Sequence, residues 1–337
     1  MMVALFLLLQ VVPGAAWEEK RPEDAGLSRE KLDALRDHVG GRGCVIHKGL
    51  LVYSWGDVAK SSDVASAVKP VISTLMLLAV QDGKLKGVDD RLSDVEPRLT
   101  GKNAAITWRH VASQTSGYGL AEEPGAAYAY NDYALALYYD TLVEKVYKDD
   151  GTAVLKRKLG DVLGFQDKVT FEAFGPKDRP GRLAISVRDF ARFGLLALRG
   201  GKWGEKQVVD APLLYMSIST PISTETPLTE GKDSEMIPGQ RTLGGTKNIT
   251  KVGPGIYSFN WWLNRSDSKG RLLYVDAPPE TFVATGHGGM RALWVIASLD
   301  LVVSWNDSKI DDHDQSPGNP DSLNNRAARL MVECVHR

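Results

Sequence analysis

The sequence predicts an α/β fold: an antiparallel sheet built from both chain ends, flanked by helices, with a mostly helical lobe inserted between them. Three observations predict it. β-rich runs stand near the start, in GCVIHKGLLVYSWGD, and again late, in IYSFNWWLN, RLLYVDA, FVATGHGG with RALWVIA, and LVVSWND. Between them, to about residue 180, helical signals dominate. Strands at both ends complete one sheet only if the two ends meet, which puts the sheet domain at residues 17–70 plus 180–337 and the helical lobe at 71–179.

Taken in order, MMVALFLLLQVVPGAAWEEK has an apolar core from Val3 to Val12, a breaker at Pro13 and small residues after it. That pattern reads as a signal peptide over residues 1–16, cleaved near Ala16, and hence a secreted or periplasmic protein. The run is too short to span a bilayer, and no cysteine follows for a lipid anchor, so no stable membrane anchor is expected. LSREKLDALRDHVGG is a helix with Ser28 as N-cap and a Gly40-Gly41 stop. The next two β-rich runs, around Lys48-Gly49, form an antiparallel hairpin. SAVKPVISTLMLLAV is apolar on nearly every side and therefore a core helix. TWRHVASQTSG, from a Thr107 cap to a Gly117 stop, NDYALALYYDTLVEKV, and SVRDFARFGLLALRGG with its Ser186 cap continue the helical part. Residues 221–255 lack periodicity and read as a long surface loop, and PDSLNNRAARLMVECV closes the chain as an amphipathic helix.

Composition excludes some functions. With 337 residues, 43% hydrophobic, 25% charged and a net charge of -1, the chain has the length for one large domain or two intimate ones. It lacks the basic footprint of a nucleic-acid binder. The two cysteines, Cys44 and Cys334, either pair in an oxidising compartment or stand apart as buried thiols, and give no zinc pattern. The G-x-S-x-G, G-x-x-x-x-G-K-[ST] and H-E-x-x-H fingerprints are missing. The acidic run Asp311 to Asp314 reads as a charged loop before a helix, His110 as a lobe-packing residue, and Trp261-Trp262 as lining either cleft or core.

Ser-x-x-Lys occurs three times, as Ser28 with Lys31, Ser66 with Lys69 and Ser266 with Lys269. Only Ser66 leads a core helix, whose first turn can put a hydroxyl and an ammonium on one face at the floor of a cleft. Desolvation there lowers the proton affinity of Lys69, which could then assist deprotonation of Ser66. The bland alternative is a serine N-cap with a snorkelling lysine. Two further clusters join it: Tyr130, Asn131 and Asp132 after a Pro-Gly turn, and His287 with Gly288 and Gly289 between strand-like runs.

These three, in this order, resemble the serine β-lactamase-like family, and within it class C β-lactamases, D-alanyl-D-alanine carboxypeptidases and related carboxylesterases. The resemblance implies Ser66 as acylated nucleophile, Lys69 as its partner, Tyr130 as proton relay, His287-Gly288-Gly289 in place of Lys-Thr-Gly, and the amides of Ser66 and Met290 as an oxyanion hole. It implies no metal and no cofactor. Two positions depart from the family: Asp132 stands where an asparagine is usual, and would keep Lys69 protonated if it reaches it, favouring Tyr130 as base. His287 replaces a permanent cation, which weakens anchoring of a substrate carboxylate. The expected substrates are small-molecule esters, with a β-lactam or a peptidoglycan stem next, and a silent binding protein on the same scaffold as the remaining class.

Overall fold

The computed structural model describes residues 11–171, 179–248, 252–312 and 317–335; the greater part of the expected signal peptide, residues 1–10, and the end of the acidic run, His313 and Asp314, lie outside them. Seven antiparallel strands form the main sheet: β1 (Arg42–His47), β2 (Leu50–Trp55), β3 (Tyr257–Ser258), β4 (Trp261–Leu263), β5 (Phe282–Gly286), β6 (Arg291–Ile296) and β7 (Leu301–Asn306). Their order is β2-β1-β7-β6-β5-β4-β3, so the chain ends meet at β1 and β7, where Val45 faces Val303.

Side-chain alternation explains the two layers. Cys44, Ile46, Leu293, Val295 and Val302 face one core with helix α4 (Val187–Leu198) and the mostly apolar α2 (Lys69–Gln81). Val45, Trp294, Ile296, Val303 and Trp305 face another with the terminal helices α1 (Arg29–Val39) and α5 (Leu323–Glu333). The middle of the chain contributes α2, the short helix Trp108–Ala112 and α3 (Asp132–Asp140), which continues as a π-helical turn to Tyr147. A three-stranded sheet, with Leu183–Ile185 between Ser62–Asp63 and Thr170–Phe171, ties the segment before α2 to the segment before α4. Among the described residues no helix is long and apolar enough to cross a membrane.

The caps read from sequence form: Ser28 accepts from Lys31 N, Thr107 from His110 N, and Ser186 from Asp189 N. Three features differ. RLLYVDA is no strand, apart from a bridge at Leu272; Leu273 and Tyr274 are buried, and the Asn264 amide bonds the carbonyls of Tyr274, Ala277 and Pro278 in place of a ladder. IYSFNWWLN splits into β3 and β4 because Phe259 and Asn260, at φ 43° and 70°, make a tight two-residue turn. The Trp108 helix stops at Ala112, two residues before Gln114 enters the left-handed region at φ 60°. His110 serves its cap, its Nδ1 accepting from Thr107 N. The cysteines are free and lie in different cores, Cys44 against α4 and Cys334 with the terminal helices, and burial pushes both thiols up to about 12.

Candidate active site

Ser66 sits in a 3-10 turn, Ala65–Val68, that runs into α2. The turn is fixed from both sides. Val64 N donates to Leu183 O at 2.9 Å, and Ala65 N donates to Asp63 Oδ1 at 2.8 Å while Ala65 itself is left-handed, φ 49°. Gly286, at the end of β5, has no side chain where a Cβ would lie 2.4 Å from Val64 O and 3.1 Å from Ser66 N, so the strand edge reaches the serine. The Ser66 side chain caps nothing; its hydroxyl accepts from Lys69 Nζ at 2.7 Å.

Lys69 is 1% exposed and gathers the site around its ammonium. Nζ donates to Tyr130 Oη at 2.7 Å, lies 4.4 Å from the Tyr130 ring centre and pairs with Asp132 Oδ1 at 3.1 Å. Burial is the largest single influence on this lysine and acts to lower its pKa, as the sequence suggests. Asp132 and Tyr130 together outweigh it and hold the ammonium above the ordinary lysine value. The expectation of a lowered proton affinity is therefore corrected. The other two Ser-x-x-Lys matches make no such contact, since Lys31 Nζ pairs with Glu333 and Ser266 bridges to Leu272.

Local hydrogen bonds place Tyr130 and Asp132. Asn131 is the N-cap of α3, its carbonyl oxygen accepting from Tyr133 N and Ala134 N while its amide donates to Tyr118 O. With Asn131 turned into the protein, the residues on either side of it face Lys69. Asp132 is further held by Thr246 O, which accepts from its amide at 2.9 Å. The Tyr130 ring stacks on Trp262 at 5.9 Å and meets Tyr257 edge-on. Tyr128, two residues away, is fully buried among Tyr257 and its neighbours, and burial raises its phenol well above the usual value.

Ser66, Tyr130 and Asp132 open into a cleft of about 540 Å³ whose walls include Trp262, Thr285, His287, Gly288, Met290 and Asp312. Trp262 lines the cleft while Trp261 packs in the α4 core. His287 is exposed at the rim and left-handed, φ 53°, as are Gly288 and Gly289 at 66° and 104°. A Cβ on Gly288 would stand 2.9 Å from Asp312 N, and one on Gly289 would stand 2.4 Å from Asn324 Oδ1, so glycine is required twice. The Met290 amide donates to His287 O at 3.1 Å, closing the turn between β5 and β6.

The walls also hold residues not singled out in the sequence: Arg179, Arg182, Arg291 and the loop residues Leu243, Gly244 and Gly245. The loop residues carry no periodic signal, and single arginines separated along the chain give none either. Among the described residues no cluster of three or more histidine, cysteine or acidic side chains has the geometry of a metal site.

No curated protein sequence matches the chain. Solved structures do. A β-lactamase from Mycobacterium bovis is 17% identical, with a TM-score of 0.60, covering 88% of this chain and 99% of its own. A family VIII carboxylesterase is 13% identical, with a TM-score of 0.64, covering 92% and 99%. A penicillin-binding protein homologue from Caulobacter crescentus is 13% identical, with a TM-score of 0.61, covering 91% and 97%. At such identities these likenesses establish the fold, in which a sheet from both chain ends carries a helical insertion. The Beta-lactamase family model matches residues 30–306, a span that contains Ser66, Lys69, Tyr130 and the turn at His287, and the chain therefore belongs to the Beta-lactamase family, a family of serine hydrolases.

Proposed function

We propose that the protein hydrolyses small-molecule esters through an acyl-enzyme on Ser66. One observation carries this: Ser66 Oγ and Tyr130 Oη each lie 2.7 Å from the buried Lys69 Nζ, and both residues line the cleft. Because Asp132 keeps Lys69 an ammonium, the lysine is a donor and not the base. Acting as the phenolate beside the Lys69 ammonium, Tyr130 takes the Ser66 proton as Oγ attacks the substrate carbonyl carbon, and Lys69 stabilises the negative charge that passes between the two oxygens. The tetrahedral oxyanion is received by Ser66 N–H at the start of the helical segment, joined by Met290 N–H, which His287 O shares. Collapse expels the alcohol, which takes the proton from Tyr130 and leaves an ester on Ser66. Water then attacks that ester by the same route, and the acid and free serine are released.

Esters are favoured over β-lactams because His287 stands where many relatives have a permanent cation. A second reading, β-lactam or D-Ala-D-Ala chemistry, is favoured by the β-lactamase and penicillin-binding relatives. We propose export as well, from the apolar run Val3 to Val12. Trp17 beyond it belongs to the core and lies 5.2 Å below the Arg192 guanidinium, so a mature chain starting there keeps that contact. The test of the enzyme is intact-mass measurement after a fluorophosphonate and, separately, a penicillin, with 4-nitrophenyl butyrate turnover in native protein and Ser66→Ala. The expected result is a single fluorophosphonate adduct and turnover, both lost in Ser66→Ala. Retained turnover in that variant refutes the nucleophile, a penicillin adduct formed faster than the fluorophosphonate one selects the second reading, and no adduct from either selects a silent scaffold.

A further inference from the structure

Tyr130 and Asp132 are placed by the loop that runs into α3, and that loop is extended: Asn131 has φ -126° and ψ 104°. Successive amides of an extended segment point to opposite sides, so a neighbouring strand would supply acceptors for alternate ones. On one side of residues 128–132 two separate segments do this. Pro227 O accepts from Tyr128 N at 2.8 Å, and Thr246 O accepts from Asp132 N at 2.9 Å. On the other side both acceptors come from one residue. Ala129 N donates to Gln114 O at 2.9 Å, and Asn131 N donates to the side-chain carbonyl of Gln114, Oε1, at 2.8 Å. The two amides that flank Tyr130 therefore both end on Gln114, whose side chain stands in for the carbonyl that a second strand residue would have offered.

Gln114 is an unfavourable residue for its own backbone. It is left-handed, φ 60°, a conformation open to glycine and costly for a side chain with a Cβ. It is also 1% exposed, and among the described residues no acceptor completes a hydrogen bond with its Nε2; the Tyr257 hydroxyl is the polar group beside it. A strained backbone and a buried N–H without an acceptor both lower stability, so local stability does not account for a glutamine here. The acceptor for Asn131 N is what the glutamine supplies and a glycine would not.

The ring contacts of Tyr130 leave its reach toward Lys69 open. Its ring stacks on Trp262 at 5.9 Å and meets Tyr257 edge-on at 6.1 Å, and such pairs are favourable over centroid separations of about 4.5–7 Å. The 2.7 Å bond from Lys69 Nζ to Tyr130 Oη tolerates only tenths of an ångström. We propose that Gln114 is a positioning residue for proton transfer: by holding the amides on both sides of Tyr130 it fixes the distance of Tyr130 Oη from Lys69, and so from Ser66. The proposal rests on Tyr130 taking the Ser66 proton. Gln114 acts through that residue and takes no part in the bond changes.

Gln114→Asn tests this. Asparagine tolerates the left-handed backbone, but its amide is one methylene too short to meet Asn131 N. Gln114→Glu keeps the length and a carbonyl acceptor. In residue-resolved amide exchange, Asn131 N–H should exchange about tenfold or more faster in Gln114→Asn than in native protein, while Ala129, bonded to the main chain, changes less and Gln114→Glu stays near native. Equal exchange of Asn131 in native protein and Gln114→Asn overturns the proposal. With 4-nitrophenyl butyrate, kcat should fall about tenfold or more in Gln114→Asn with KM within about twofold, and Gln114→Glu should recover most of the loss. In a Tyr130→Phe background the same substitution should cost less than about threefold, because the proton acceptor it misplaces is already gone. A full loss in that background, or a change in KM in place of kcat, shows that Gln114 acts other than through Tyr130 and overturns the proposal. Thermal melting checks folding, and if Gln114→Asn does not fold, Gln114→Met, of similar length and without an oxygen acceptor, replaces it in every measurement. Native protein that neither turns over ester nor takes a fluorophosphonate on Ser66 marks a failure of the hydrolase reading, and the exchange measurement then decides by itself whether Gln114 holds the loop.

Discussion

Replacing Asp132 by Asn removes one charge from a buried pair and leaves the shape of the side chain nearly unchanged. Lys69 and Asp132 have side-chain exposures of 1% and 8%, so water screens them little. At 3.1 Å their attraction is about 5 kcal/mol for an effective dielectric constant of about 20. Breaking a buried pair from one side costs about 3–5 kcal/mol, because the remaining charge stays desolvated. The pH dependence carries the sharper information. In native protein the Lys69 pKa is raised, so the stability it contributes is complete below the unfolded lysine value of about 10.4 and is lost only as pH rises through the higher folded value. In Asp132→Asn burial, the largest influence, loses its main opponent and the lysine pKa falls. The penalty is then greatest while Lys69 is charged and is relieved as the pH rises and the proton leaves. Urea unfolding at pH 6 and pH 9.5 should give a destabilisation of about 3–5 kcal/mol at the lower pH, smaller by at least about 1 kcal/mol at the higher. A loss under about 1 kcal/mol that is the same at both pH values would refute the ion pair, and with it the assignment of Lys69 as a permanent donor.

Tyr130→Phe keeps the ring on Trp262 but removes the hydroxyl at Lys69, so kcat for 4-nitrophenyl butyrate should drop about a hundredfold or more, while Tyr128→Phe, which touches neither Ser66 nor Lys69, should retain most of it. A larger loss in Tyr128→Phe than in Tyr130→Phe reverses the assignment. Gly286→Ala puts a Cβ 2.4 Å from Val64 O, so the β5 edge or the Ser66 turn has to move; fluorophosphonate labelling should slow by about tenfold or more, with a lower melting temperature, and native-like labelling contradicts the contact. His287→Lys restores a permanent cation at the rim and should raise nitrocefin acylation several-fold relative to 4-nitrophenyl butyrate, measured as a ratio of second-order constants; an unchanged ratio removes His287 from substrate choice.

Local and periodic features of the fold were legible in the sequence. Ser28, Thr107 and Ser186 are caps because each precedes a helical pattern, and the β-rich runs that contain Arg42–His47 and Leu301–Asn306 hold strands buried on both faces. Ser66 could be separated from Ser28 and Ser266 because only its helix is buried throughout. What was not legible depends on long-range pairing. RLLYVDA has the composition of a strand, yet its carbonyls are taken by the side chain of Asn264, a single residue whose effect no pattern encodes. Desolvation of Lys69 was foreseeable from the apolar helix, but its sign was decided by Asp132, sixty-odd positions away, and only the distance between them fixes which effect wins. Arg179, Arg182 and Arg291 belong to segments that meet only in the folded chain, so no stretch of sequence marks the wall they share.

The Ser66 turn and the arginine-bearing wall of the cleft share one carboxylate. Asp63 accepts the amide of Ala65 at 2.8 Å, holding the residue before Ser66 in a left-handed conformation that costs roughly 1–3 kcal/mol for a side chain with a Cβ. The same Asp63 is the ion-pair partner of Arg182, and its strand pairs with Leu183–Ile185 just beyond that arginine. Strain at Ala65 is thus balanced by a half-buried charge-assisted contact whose other end faces the cleft. The Ser66 turn is held not by its own helix, which begins only at Lys69, but by the sheet edge at Gly286 on one side and by the Asp63–Arg182 pair on the other. That is why Ser66 can project its hydroxyl at Lys69 without serving as a cap: the backbone it would otherwise have to stabilise is already anchored from outside the helix.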